Sequence, residues 1–366
     1  TISYVFYMGC AMVCFYLGIK QRPLWLLLAG VCGGLAYLTR QDAILLLPSF
    51  AVAWVGARFL GYRVAWRWVL LLPLGWLLVV SPYLYRNYSL FGSLTSNGSG
   101  RTLFMTSFND QFTYGRTLNL EHYLAWGIPN ILANIATMAL ANVRTIVHTL
   151  DVLLPVVGFV GAWGIIAHKD REKGLMFLLP LVMVLALLAF YTVVTPFHTM
   201  GGSFKKSYQF TLPFWAFLGA YALDRYVQPS RMAMAFAVIG AMVAGMNAFQ
   251  LVRTDFDASK RFNDSVIALD GRLQDVGDVN GDGEIIVMTQ DPYILNYHGY
   301  RALMLPSDPL DMILEASYRY NVDYIILPAN REALNGFYDN EQQDARLTWL
   351  EGVGNYQLLA VRPILP

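Results

Sequence analysis

Charge is scarce in this 366-residue chain and favours neither sign, with 26 Lys and Arg against 25 Asp and Glu, a formal net charge of +1. The cations are spread through many connections and form no single patch, so no nucleic-acid partner is expected. Cysteine is nearly absent. Cys10, Cys14 and Cys32 all lie in apolar runs, and Cys10 shares a helix face with Cys14, which reads as small packing residues before a metal or redox pair. The C-terminal third has no cysteine at all, so no disulfide framework marks its compartment. No His-Glu-x-x-His pattern occurs and no glycine-rich phosphate loop follows any predicted strand. Nucleotide binding therefore has no support, no metal site is assigned, and a divalent metal is left open without support.

What the chain has in quantity is apolar side chain, 56 % of residues with a mean hydropathy of +0.43. That is too apolar for an ordinary soluble domain and predicts a polytopic α-helical membrane protein, with lipids or other membrane subunits as partners. Runs near the ~20 residues that a spanning helix needs fall at 1–19, 24–39, 43–60, 66–85, 152–167, 174–195, 207–225 and 231–252, eight expected spans. Lys20 and Arg22, then Arg58, Arg63 and Arg67, then Lys169, Arg171 and Lys173, then Arg225 and Arg231 make every second connection basic. The positive-inside rule assigns those connections to the cytoplasm. The Arg40 turn, residues 86–150, the loop from Pro196 to Lys206 and everything after Val252 are then expected outside. Within 86–150, the stretch Ile131 to Leu150 is interrupted by Asn130, Asn134, Asn142, Arg144 and His148, mostly on one side at helical spacing, and reads as an interfacial amphipathic helix. The chain opens at Thr1 in what reads as the middle of a span, without a signal peptide, so a fragment is expected.

Arg40 and Asp42 meet where one apolar run ends and the next begins. A charge held there must snorkel, pair or bind something charged, which makes the turn a candidate anion site.

The expected organisation is a membrane body over 1–252 and a soluble α/β domain over 253–366. In the tail, Phe256 to Leu273 reads as a helix, Glu284 to Thr289 as a strand and Asp291 to Tyr297 as a short helix. Ala302 to Leu305 is then a strand, Pro309 to Tyr320 a helix, Val322 to Leu327 a strand, and Gln342 to Leu350 a helix before Tyr356 to Val361. This alternation favours a small sheet with parallel neighbours. Asp278 to Gly283 resembles half a calcium loop, but Thr289 stands where the bidentate acid belongs, and a polar turn is the preferred reading.

Four sets of segments stand out in order along the chain: Gly34 to Arg40 with Pro48, Pro82 to Tyr88 with Phe91 and Gly92, Lys206 with Pro213, and in the tail Asp291-Pro292-Tyr293 with Tyr297, Pro306 and Val322 to Leu327. Together they resemble the GT-C membrane glycosyltransferases, in particular the polyprenyl-phosphate-sugar-dependent protein mannosyltransferases and lipid A aminoarabinose transferases. The resemblance implies a transfer of sugar from a polyprenyl-phosphate-linked donor to an acceptor outside a bacterial-type plasma membrane, with the C-terminal domain extracytoplasmic. It further implies that Arg40, Arg86, Lys205 and Lys206 hold the donor phosphate, which suits the planar fork of Arg and the point charge of Lys. Asp42, Asn87 and His198 are expected in support, with His198 read either as a plain loop residue or as a proton-transfer group. In that family the catalytic acid lies in the first outside loop, and this chain is expected to begin after it, so the catalytic residue is unassigned. A non-catalytic membrane subunit or assembly factor built on the same scaffold is the alternative.

Overall fold

The computed structural model describes residues 2–94, 100–149, 153–195, 203–227, 230–278, 283–328, 331–339 and 344–362. The chain divides into two compact units, Thr1–Phe108 with Asn119–Gly245, and Asn109–Leu118 with Met246–Pro366. The division thus falls a few residues before the expected 252/253 boundary, and the second unit takes in a ten-residue stretch from the long connection that was expected to belong to the body.

The first unit is helical, with α1 (Ile2–Lys20), α2 (Trp25–Thr39), α3 (Leu46–Phe59), α4 (Trp66–Val69), α5 (Leu71–Phe91), α6 (Leu120–Ala125) and α7 (Ile128–Thr149). It continues with α8 (Leu153–Ala167), α9 (Arg171–Ala189), α10 (Ser203–Tyr208), α11 (Leu212–Tyr226) and the start of α12 (Ser230–Val276). Among the described residues, six helical stretches are long and apolar enough to cross a membrane: Ile2–Lys20, Gln41–Phe59, Trp66–Phe91, Ile128–Val147, Arg171–Val194 and Met234–Val276. Eight were expected. Helix α2 is 15 residues long, about 22 Å at 1.5 Å per residue and short of a ~30 Å hydrocarbon core; the described part of α8 is also 15 residues, while α11 follows α10 and the 3-10 turn Gln209–Thr211 without a break and carries Asp224 and Arg225 in its last turn. Conversely α7, read from its polar interruptions as interfacial, has the length and hydropathy of a span.

Small residues set the closest packing. Gly30 of α2 and Gly75 of α5 let two backbones touch: a Cβ on Gly30 would lie 2.1 Å from the Leu72 carbonyl oxygen, and one on Gly75 would lie 2.2 Å from that of Leu27. Gly161 of α8 meets the Leu218 carbonyl of α11 in the same way, at 2.1 Å. Such contacts supply the van der Waals attraction that apolar helices need where burial from water cannot drive association. Around them Tyr4, Met8, Phe15, Phe50, Met183, Leu187, Phe204 and Phe210 form one buried core. At the basic end of α1, Lys20 and Tyr16 both donate to Glu172 of α9, fixing the two helices at that side.

Helix α12 has 47 residues and continues without a break from its apolar half into Phe256 to Leu273, which were expected to form a separate helix. No Gly or Pro stands between Val252 and Phe256 to stop it.

The second unit holds β1 (Ile286–Thr289), α13 (Pro292–Tyr297), β2 (Arg301–Met304), α14 (Leu310–Arg319), β3 (Tyr324–Pro328), α15 (Asn335–Asp339), β4 (Leu347–Val353) and β5 (Tyr356–Val361). The sheet order is β2-β1-β3-β5-β4, with β1 parallel to both β2 and β3 and with β5 antiparallel to β3 and β4. Side chains alternate across it. Ile286, Met288, Ile325 and Leu327 meet Ile313, Leu314 and Phe337 on one face, while Val287, Tyr324 and Ile326 meet Val266, Leu269 and Leu273 of α12 on the other. The helix expected over Gln342 to Leu350 is corrected, since Leu347 to Leu350 belong to β4. A two-residue turn, Gly354 and Asn355, joins β4 to β5, and Gly354 adopts φ +58° there, a tight-hairpin geometry.

The stretch Asn109–Leu118 is tied to this sheet by backbone and carboxylate. Ser307 N–H donates to the Phe112 carbonyl at 2.9 Å, and Tyr114 N–H donates to Asp308 Oδ2 at 2.7 Å. Asp110, 1 % exposed, pairs with Arg116 at 3.1 Å.

A buried polar cluster as candidate functional site

Arg40 ends α2 in an extended conformation, and the chain turns at once into a 3-10 helix over Gln41–Leu45 that buries Asp42. Two positions apart, the two side chains face each other, with Arg40 Nη2 3.1 Å from Asp42 Oδ2 and Nε 3.4 Å from Oδ1. Their side chains are 20 % and 6 % exposed, so the pair is largely withdrawn from water and each charge depends on the other. The guanidinium also lies 5.6 Å from the centroid of the buried Tyr4 ring, within cation–π range.

Two further elements complete the cluster. The end of α9 widens into a π-helical turn over Phe190–Val194, a geometry common at functional sites. It aims neighbouring side chains at different partners: Tyr191 OH donates to Asp42 Oδ2 at 2.8 Å, while Thr192 Oγ1 accepts from Asn142 Nδ2 of α7 at 3.0 Å. From α10, the Ser203 carbonyl and Ser207 Oγ accept from Arg40 Nη2 at 3.1 and 2.8 Å. Ser207 Oγ is within bonding reach of both the Asp42 carboxylate and the Ser203 carbonyl, so its single proton chooses between two acceptors. The hydroxyls of Tyr4 and Tyr208 are buried without a partner among the described residues, which is uncommon for buried polar groups.

The cluster thus brings together Arg40, Asp42 and the helix that carries Lys205 and Lys206. Lys205 is half-buried and Lys206 exposed. Arg86 is exposed near the end of α5, and its neighbour Asn87 is buried and donates to the Leu94 carbonyl at 3.4 Å. Among the described residues no ion pair involves Arg86, Lys205 or Lys206, and Arg86 is not among the groups that meet Arg40 or Asp42. His198 lies outside the described residues. Sequence reasoning missed Tyr4, Tyr191, Ser203 and Ser207. The first two stand in apolar runs that read as core, and the only signal for the serines is their four-residue spacing around the two lysines.

Chemically, Asp42 is a satisfied carboxylate that orients Arg40. With its oxygens taken by Arg40, Tyr191 and Ser207, it is poorly placed to accept a substrate proton. The arrangement is that of a guanidinium anchored by a carboxylate and by the helix that carries Lys205 and Lys206. Comparison with protein-family models and with curated proteins returns no match.

Proposed function

We propose that this chain is the body of an integral-membrane glycosyltransferase that binds a polyprenyl-phosphate-linked sugar donor and passes the sugar to an acceptor. The six long apolar helices support membrane insertion, and the exposed apolar surface of α12, from Met234 through Phe236, Ile239, Met242 and Met246 to Phe249, suits lipid on all sides. In this reading the Arg40 turn and the C-terminal unit face the extracytoplasmic side of a bacterial-type plasma membrane. The observation that supports the proposal is the bonding of Arg40 to Ser203 and Ser207 of α10, the short helix that also carries Lys205 and Lys206. Arg86 would join only by moving toward the lipid phosphate. The acid or base that acts on the acceptor is unassigned.

The test is binding of undecaprenyl phosphate to the purified chain in nanodiscs. Lys205→Ala with Lys206→Ala is expected to weaken it at least tenfold, as loss of charge-assisted bonds worth about 1.5–3 kcal/mol would, with the melting temperature unchanged. Unchanged binding in that variant, and in Arg86→Ala, would remove the donor site. One observation favours the second reading, a non-catalytic scaffold subunit: Asp42 neutralises Arg40 within the cluster. Wild-type protein that binds no polyprenyl phosphate while Arg40→Ala still unfolds it would favour that reading.

A further inference from the structure

The second unit carries a different site. In an open sheet, ligands bind beyond the carboxyl ends of parallel strands, where successive connections leave in opposite directions. With the order β2-β1-β3, that point lies between β1 and β3. Asp291 stands two residues past the end of β1, and Tyr356 faces Pro328 at the end of β3 in the β3–β5 register.

The fully buried acids of this unit, among the described residues, all have partners. Asp308 accepts from Tyr114 N–H, Asp323 from Ile286 N–H at 2.8 Å, and Asp110 pairs with Arg116. Asp291 is different: it is half-buried, yet among the described residues it accepts no hydrogen bond and meets no cation. Burial alone pushes its carboxyl up. Two tyrosines adjoin it. Tyr293 is 66 % exposed, and the Tyr356 ring is braced edge-on by Phe262 of α12 with centroids 6.4 Å apart. The register sets Thr289 of β1 against Ile326 of β3 and Pro328 of β3 against Tyr356 of β5, so Asp291, Tyr293 and Tyr356 lie at one end of adjoining strands; in keeping with this, the phenol of Tyr356 is raised by burial first and then by Asp291 and Tyr293.

We infer that this edge is a binding site for an organic ammonium group, with Asp291 supplying the charge and Tyr293 and Tyr356 the aromatic surface. A desolvated carboxylate without a counter-charge is unfavourable until a cation arrives, and an alkylammonium is the cation that gains from aromatic faces as well. Small hydrated metal ions ask for several oxygen ligands, and among the described residues no group of acids, histidines or cysteines gathers to supply them. The ammonium can belong to a soluble amine or to a choline headgroup. The inference is independent of the Arg40 cluster and of the transferase reading.

The experiment uses the full chain in phosphatidylglycerol nanodiscs and tetramethylammonium as probe, read by saturation-transfer NMR of its methyl signal. Binding is expected, weakened about tenfold or more by Asp291→Asn and measurably by Tyr293→Ala, a change of the order that one charged or cation–π contact supplies. Competition by phosphatidylcholine mixed into the nanodisc assigns the headgroup as source, and competition only by free choline or methylamine assigns a soluble amine. No transfer to the probe in the wild type, or equal binding by a folded Asp291→Asn, overturns the inference.

Discussion

Tyr191 OH donates to Asp42 Oδ2 at 2.8 Å across 149 positions of sequence, so the end of one long helix is fastened to the turn that begins another. Tyr191→Phe removes one hydrogen bond to a charged acceptor and should cost about 1.5–3 kcal/mol of stability. Asp42→Ala should cost more, about 3–5 kcal/mol, because Arg40 is left buried without its counter-charge. Thermal melting in detergent ranks the two, and equal losses would show that the charge pair contributes nothing beyond the phenol bond.

At Gly30 a methyl group has no room. With the Leu72 carbonyl oxygen 2.1 Å from the position that a Cβ would take, Gly30→Ala must push α2 and α5 apart, an overpacking cost of about 1–3 kcal/mol or more. Gly9→Ala in α1, where nothing lies within 4 Å, is the matched control and should be neutral or slightly stabilising. Comparable melting of the two variants would contradict the close α2–α5 contact.

Asp308→Ala should release the stretch Asn109–Leu118 from the sheet, since Tyr114 N–H loses its acceptor. Hydrogen exchange at the Tyr114 amide is expected to speed up by at least tenfold, the equivalent of roughly 1.4 kcal/mol of local stability. An unchanged exchange rate would mean that this bond does not hold the segment.

Acid should weaken the second unit in part through Asp344. Hydrogen bonds from the Arg346 side chain hold its carboxyl below the usual range, so the folded pKa lies under the unfolded value of about 3.9. The stabilisation is then fully present above the unfolded value and is lost as pH falls through the folded one. Arg346 is partly solvent-exposed, which limits the effect to about 1 kcal/mol or less. Asp344→Asn should flatten the acid limb of a melting-temperature profile below about pH 4 while leaving Arg346 bound to Asp311.

Much of the second unit was legible in sequence because β1 and β3 are short β-branched runs and β2 is a short apolar run between turn residues. The expected strands at Glu284 to Thr289, Ala302 to Leu305 and Val322 to Leu327 overlap β1, β2 and β3 within two residues at each end. The strand β4 was missed because Trp349, Leu350 and Glu351 also suit a helix, and the deciding signal was the Gly354–Asn355 turn behind them. In the first unit, hydropathy located the apolar helices but could not measure their usable length, which turns decide at both ends of α2. The Arg40–Asp42 turn stood out because two charges are rare at such a boundary. Its partners Tyr191 and Ser207 did not, since 149 and 165 residues of sequence separation leave no local pattern to read.

The stretch Asn109–Leu118 has a practical consequence for anyone cutting this protein into parts. A fragment beginning at Met246 would leave behind the strip that covers Ser307 and Asp308, baring two buried polar groups to solvent, and a truncation at the same point would strand that strip without its dock. The C-terminal third is therefore not a detachable appendage. Its recombinant production calls for the ten residues to be grafted back, or supplied as a separate peptide.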